Sequence, residues 1–235
     1  MYTGQNLLFL PCLEETMKKV LLAIAMVAAA SLACSLLSPT VPTTNEQPTA
    51  QSNILFADDF SSNSSGWAEV DEAAKFAGYT NGGYRMWLNT AQYDIWAYPG
   101  KSFDGPVSIE VDATKTAGPD NNDFGVICDF QDSDNFYFGL ISSDGYALIG
   151  KKQAGTTTPL SADQMVPVDG ILAGNLTNHI KFVCNNGALS LYANNNLVAS
   201  TTDTTFSSGD VGLRVGTYDE VGVDMLFDNF VVTKP

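Results

Sequence analysis

FGVICDFQDSDNFYFGLISSDGYALIG, residues 124–150, decides how this chain folds. The stretch reads as three apolar strands joined by two tight polar turns. Asp132-Ser133-Asp134-Asn135 supplies the first turn and Ser142-Ser143-Asp144-Gly145 the second, both built from residues that tolerate turn geometry. A meander this apolar belongs in the middle of a sheet whose inner face is buried.

Working outward, the same punctuation repeats. Val107, Ile109, Val111 and Ala113 alternate with Ser108, Glu110, Asp112 and Thr114, the period of a half-buried strand. Asn81-Gly82-Gly83 is a hairpin turn between Lys75–Tyr79 and Tyr84–Leu88, and Asn185-Asn186-Gly187 joins His179–Cys184 to Ala188–Ala193. Ile54 to Phe60, Gln92 to Tyr98, Leu197 to Thr202, Val211 to Gly216 and Val221 to Val232 read as further strands. Between Gln153 and Thr177 the signal weakens to a strand fragment and long loops, and Val70 to Ala74 suits one helical turn. About a dozen strands with regular turns and no sustained helical period predict an all-β fold, a two-sheet antiparallel sandwich.

The folded domain does not take the whole chain. Met17-Lys18-Lys19 followed by the apolar run Val20–Ala30 has the form of a secretory leader, and the run is too short to span a bilayer. Residues 1–33 are read as leader, with translation expected to start at Met17. Ser31-Leu32-Ala33-Cys34 resembles the lipobox of bacterial lipoproteins, which implies lipidation of Cys34 and a membrane contact through that anchor. Ordinary secretory cleavage, leaving Cys34 free, is the alternative. Residues 34–52, rich in Ser, Thr and Pro, suit a disordered tether. Residues 53–235 remain for a β-sandwich domain.

Net charge is −15, from 11 Lys and Arg against 26 Asp and Glu. Such a surface repels nucleic acid and anionic lipid, and suits an exported, monomeric protein of the cell envelope or surface. His179 is the single histidine, which argues against a histidine zinc site. Cys128 and Cys184 both fall on expected strands of an exported domain, so a disulfide between them is expected.

DDF near the start, the IEVDA strand, GVIC, NFYF, ISSDGY, VCNNG with LSLYANNN, and FDNF at the end together resemble the concanavalin A-like jelly rolls. The likeness extends to laminin G-like relatives and to the 3-keto-disaccharide hydrolase group. It implies a concanavalin A-like jelly-roll sandwich over nearly all of residues 53–234. It leaves activity open, because lectins, glucanases and adhesion modules share that fold.

Glu110-Val111-Asp112-Ala113-Thr114-Lys115 resembles the ExDxxE strand of jelly-roll endoglucanases, with Lys115 where the acid/base Glu stands. A lysine cannot protonate a glycosidic oxygen as a carboxylic acid does, and retaining hydrolysis needs two carboxyl groups about 5 Å apart. No catalytic residue is therefore assigned. Aromatic residues are the stronger lead, since sugar rings stack on flat side chains while carboxylates bind hydroxyls. Asp94, Trp96, Tyr98, Glu110, Asp112, Asp129 and Tyr137 are the expected lining of one carbohydrate-binding groove. Asp59 and Asp228, near the two ends of the domain, are the expected ligands of a structural calcium ion, as the resemblance to glycan-binding jelly rolls implies.

Three functions follow. The first is non-catalytic carbohydrate binding by a cell-surface lipoprotein. The alternatives are an extracellular saccharide hydrolase, glucanase-like or 3-keto-disaccharide hydrolase-like, and an adhesion module for another envelope protein.

Overall fold

Where the sequence alternates, burial alternates with it. Val107, Ile109, Val111 and Ala113 are buried completely, and Glu110, Asp112 and Thr114 between them are half-buried on the other face. The computed structural model describes residues 53–80 and 82–235, which fall in a compact unit, Gln51–Pro235. The expected leader, lipidation site and tether lie outside the described residues.

The strands are β1 (Ile54–Asp58), β2 (Val70–Glu72), β3 (Lys75–Thr80), β4 (Gly83–Leu88), β5 (Asp94–Ala97) and β6 (Phe103–Asp104). Next come β7 (Val107–Ala117), β8 (Asn122–Asp132), β9 (Asn135–Ile141), β10 (Tyr146–Gln153), β11 (Thr156–Pro159) and β12 (Val166–Pro167). The chain ends with β13 (Thr177–Asn185), β14 (Ala188–Ala193), β15 (Asn196–Thr202), β16 (Ser208–Thr217) and β17 (Val223–Thr233). One sheet runs β15-β14-β13-β7-β17-β4-β3-β2, with β1 also on β17. The other runs β11-β10-β9-β8-β16-β5, with β12 on β10 and β6 on β16. The meander β8-β9-β10 is interior to this second sheet, as its apolar character predicts.

Two expectations need correction. Val70 to Ala74 is not a helical turn: Val70–Glu72 forms β2 and pairs with β3. The weak stretch after Gln153 holds two short strands, β11 and β12, both paired to β10. Sequence-based expectation undercounts here because β11 and β12 are exposed throughout and carry no burial pattern.

The core fills the space between the sheets with apolar side chains from both inner faces, the packing of a β-sandwich. Cys128 on β8 and Cys184 on β13 are joined by a disulfide, Cα to Cα 6.7 Å, which crosses that core and ties the two sheets together. A disulfide inside the sandwich fits an oxidising address. Near one end of the core, Phe60, Trp67, Tyr79 and Tyr84 pack edge-on or tilted, with ring centroids 5.3–6.1 Å apart.

Candidate functional site: the outer face of the second sheet

A second apolar cluster lies outside the sandwich. Ile127, Phe130, Phe136, Phe138, Leu140 and Leu148 are buried, with Trp96 and Met165 against them, yet none belongs to the main core. Period 2 explains it. Tyr137, between Phe136 and Phe138, points into the sandwich, so its two neighbours point out of it. β9 is apolar on both faces because both faces are covered, one by the other sheet and one by this outer cluster.

The rings of this face form a connected series. Tyr98 stacks on Phe130 at 4.5 Å, Phe130 meets Phe136 at 5.5 Å, and Phe136 meets both Trp96 at 5.8 Å and Phe138 at 6.3 Å. Two cations cap it: Lys152 Nζ sits 4.9 Å from the Trp96 ring centre, and the Arg214 guanidinium 4.4 Å from that of Phe138.

Beyond Arg214 the face becomes acidic. Register places Asp94 of β5 and Asp123 of β8 opposite the same residue of the strand between them, Gly216 of β16. A Cβ at Gly216 would collide with Oδ1 of Asp94 and lie 2.6 Å from each oxygen of Asp123. The two carboxylates thus lean together over one glycine, no farther apart than the roughly 5 Å of a retaining glycosidase pair. Arg214 Nη2 donates to Asp94 Oδ2 at 2.8 Å. Asp123 is 5% exposed and its Oδ1 has no hydrogen-bond partner. Burial pushes the Asp123 carboxyl up to about 6, with Asp94 adding to the rise while Arg214 and the Tyr218 hydroxyl oppose it. The surrounding cleft, about 490 Å³, has Phe138, Leu140 and Leu148 on its apolar side and Asp94, Asp123 and Arg214 on its polar side. A second cleft of about 460 Å³ shares Asn121, Met165 and Tyr218 with it.

The seven residues expected in one groove do not meet in one. Asp94 and Trp96 lie on this face, and Tyr98 stacks at its far end. Glu110 and Asp112 belong to β7 of the other sheet and face outward there. His179 bridges them, Nδ1 to Asp112 at 2.8 Å and Nε2 to Glu110 at 3.3 Å, while Lys181 holds Glu110 at 2.9 Å. Lys115 points the opposite way, buried at 4% exposure, and binds Asp120 and the Gly118 carbonyl. The resemblance to a catalytic strand therefore fails in direction as well as in residue type. Tyr137 is buried in the core, where its hydroxyl donates to Asp203 at 2.5 Å. Asp129 sits in a bulge of β8 with φ +52, is 7% exposed, and is pushed up to about 6 by burial alone.

The pair expected to ligate calcium is engaged locally: Asp59 accepts from the Ser61 amide at 3.0 Å and Asp228 from the Asn229 amide at 2.7 Å. Among the described residues, no group of three or more His, Cys, Asp or Glu side chains is arranged to hold a metal ion. Phe130, Phe136, Phe138, Asp123 and Arg214 lie on this face and are not among the seven expected residues. The alternation of NFYFGLI carried a signal for the phenylalanines, but both of its faces are apolar, so the outward one is not marked.

The chain matches no protein-family model and no curated protein. Solved structures do resemble it. The carbohydrate binding module CBM66 from Bacillus subtilis superposes with TM-score 0.57 at 20% identity, over 72% of this chain and 96% of that one. A β-glucanase of Bacillus licheniformis gives 0.54 at 13% identity, over 77% and 97%. A Bacteroides ovatus mixed-linkage glucan GH16 protein, solved with its product, gives 0.54 at 12% identity, over 76% and 100%. The fold is a concanavalin A-like jelly roll. These identities speak for the fold alone.

Proposed function

We propose that this protein is a non-catalytic carbohydrate-binding domain of an exported, cell-surface lipoprotein, lipidated at Cys34 and held off the membrane by residues 34–52. The observation that carries the reading is the aromatic series from Tyr98 to Phe138 outside the sandwich, ending at Arg214, Asp94 and Asp123. Apolar floor beside a few placed polar groups is the composition of a sugar-binding cleft. Neighbours of the same fold include a carbohydrate binding module, which supports the reading at the level of architecture.

One observation favours hydrolysis as a second reading: Asp94 and Asp123 approach over Gly216 as closely as a retaining pair. Against it stands Arg214, whose guanidinium is already paired with Asp94. Binding of purified residues 51–235 to a panel of soluble polysaccharides, with and without a calcium chelator, tests both. Binding without release of reducing ends supports the first reading, and loss of binding on chelation adds the calcium ion. Release of reducing ends, abolished in Asp123→Asn, replaces it with the second. Binding to no glycan sinks both.

A further inference from the structure

We propose that the notch formed by Asp94, Gly216 and Asp123 receives an ammonium group, so that the preferred ligands of this face are glycans carrying free amino groups. The inference rests on the carbohydrate-binding reading and makes it specific.

The notch is short of positive charge, and among the described residues only the Tyr218 hydroxyl, besides the guanidinium, is seen to donate to its carboxylates. Three oxygens from two carboxylates lean over the bare Cα of Gly216. One guanidinium answers them, and it is committed: Arg214 Nη2 lies on Asp94 Oδ2 at 2.8 Å while its flat face covers Phe138. Asp219 adds another carboxylate to the same cleft. Asp123 is 95% buried by the cleft wall, and its Oδ1 receives no hydrogen bond. A buried carboxylate oxygen without a donor is costly, and a donor that brings charge removes more of that cost than a neutral one.

Candidate ligand groups differ sharply here. A sugar hydroxyl brings one donor and no charge. A uronic carboxylate brings charge of the wrong sign to a face already holding three aspartates and to a chain of net charge −15. An ammonium brings three donors and a positive charge, enough for the oxygen of Asp94 not held by Arg214 and for the edge of the Asp123 carboxyl that lines the cleft. Trp96 and Tyr98, the members of the aromatic series that keep exposed surface, then stack the sugar that carries it, so affinity comes from those two rings and selectivity from the notch.

The test is calorimetric titration of the purified protein, in chelator-treated buffer near neutral pH, with hexosamine oligomers bearing free amines. Their N-acetylated and their neutral hexose counterparts of equal length serve as comparisons. The free-amine series should bind about tenfold more tightly than either counterpart. That margin should shrink as salt is added, and should disappear in Asp123→Asn and Asp94→Asn. The wild-type comparison needs no variant, so it stands even if a substitution disturbs folding. Equal affinity for the amine and neutral series overturns the ammonium notch while leaving carbohydrate binding intact. Binding of no series overturns carbohydrate binding itself. A saturable calcium titration lost in Asp123→Asn assigns the notch to a metal ion and overturns the inference.

Discussion

Arg214 lies over Phe138, its guanidinium carbon 4.4 Å from the ring centre. β16 carries the first and β9 the second, with β8 between them, so the contact spans three strands of one sheet. It can form because Gly125 stands opposite Arg214 on β8, leaving no side chain between them. The ring and the Asp94 carboxylate hold the guanidinium from two sides, which sets the boundary between the apolar and acidic parts of the face.

Removing Arg214 should damage both stability and binding. Arg214→Ala leaves the part-exposed Asp94 and the buried Asp123 without their counter-charge, a loss of ~1–3 kcal/mol. Arg214→Lys keeps the charge but not the flat contact with Phe138, and should recover only part of it. Urea unfolding of the three proteins checks the order.

The Asp129 carboxyl gives a pH signature. Burial raises its folded value to about 6 from the ordinary 3.8, so the folded state binds its proton more tightly than the unfolded one. The resulting stability is fully present below the unfolded value and is lost as pH rises through about 6. Asp129→Asn preserves a residue tolerant of positive φ and cannot ionise. It should flatten the fall in stability across that window, worth up to ~3 kcal/mol at neutral pH, which melting temperature against pH reads out. Asp123, faced by Arg214, Asp94, Tyr218 and Asp219, contributes a slope of the same sign.

Breaking the cross-sheet disulfide should cost ~4 kcal/mol, the loop-closure figure for a bridge of this span. Cys128 and Cys184 are 56 residues apart in sequence and join opposite sheets. Denaturant unfolding of Cys128→Ala/Cys184→Ala, compared with the oxidised protein, checks it.

Opposite faces should respond independently. Glu110→Ala and Asp112→Ala remove half-exposed partners of His179 and Lys181, so stability should change by within ~1 kcal/mol. Glycan binding should be unchanged. Trp96→Ala and Tyr98→Ala, on the other face and with exposed rings, should each weaken binding about tenfold or more. Affinity electrophoresis of the four variants separates the two faces.

Tyr137 should prove structural. Its hydroxyl donates to Asp203 and accepts from the Phe206 amide at 3.0 Å, and Asp203 also holds Lys151 at 2.7 Å. Tyr137→Phe leaves that buried amide without its acceptor and should cost ~1–3 kcal/mol, with glycan affinity unaltered. Thermal melts alongside a binding assay decide it.

Much of the fold is legible in the chain because it is locally encoded. The alternation of Val107–Ala113 and the turns Asn81-Gly82-Gly83 and Asn185-Asn186-Gly187 specify strand, face and reversal within a few residues of themselves. The bridge between Cys128 and Cys184 followed from address and strand position. Lys115 shows the opposite case. Its spacing from Glu110 suits a catalytic motif, but an odd offset along a regular strand turns it into the core, where Asp120 and the Gly118 carbonyl take its charge.

Pattern and turn chemistry thus dictate an antiparallel sandwich, its central meander and its cross-link. Which residues share the outer face of the second sheet is decided only when β5, β16, β8 and β9 come together in register. Asp94, Asp123, Phe138 and Arg214 are scattered over more than a hundred positions in the chain, and no local period connects them. NFYFGLI is apolar on both faces, so its alternation cannot say which of Phe136 and Tyr137 looks outward. Packing settles that, because only one face of β9 can meet the other sheet.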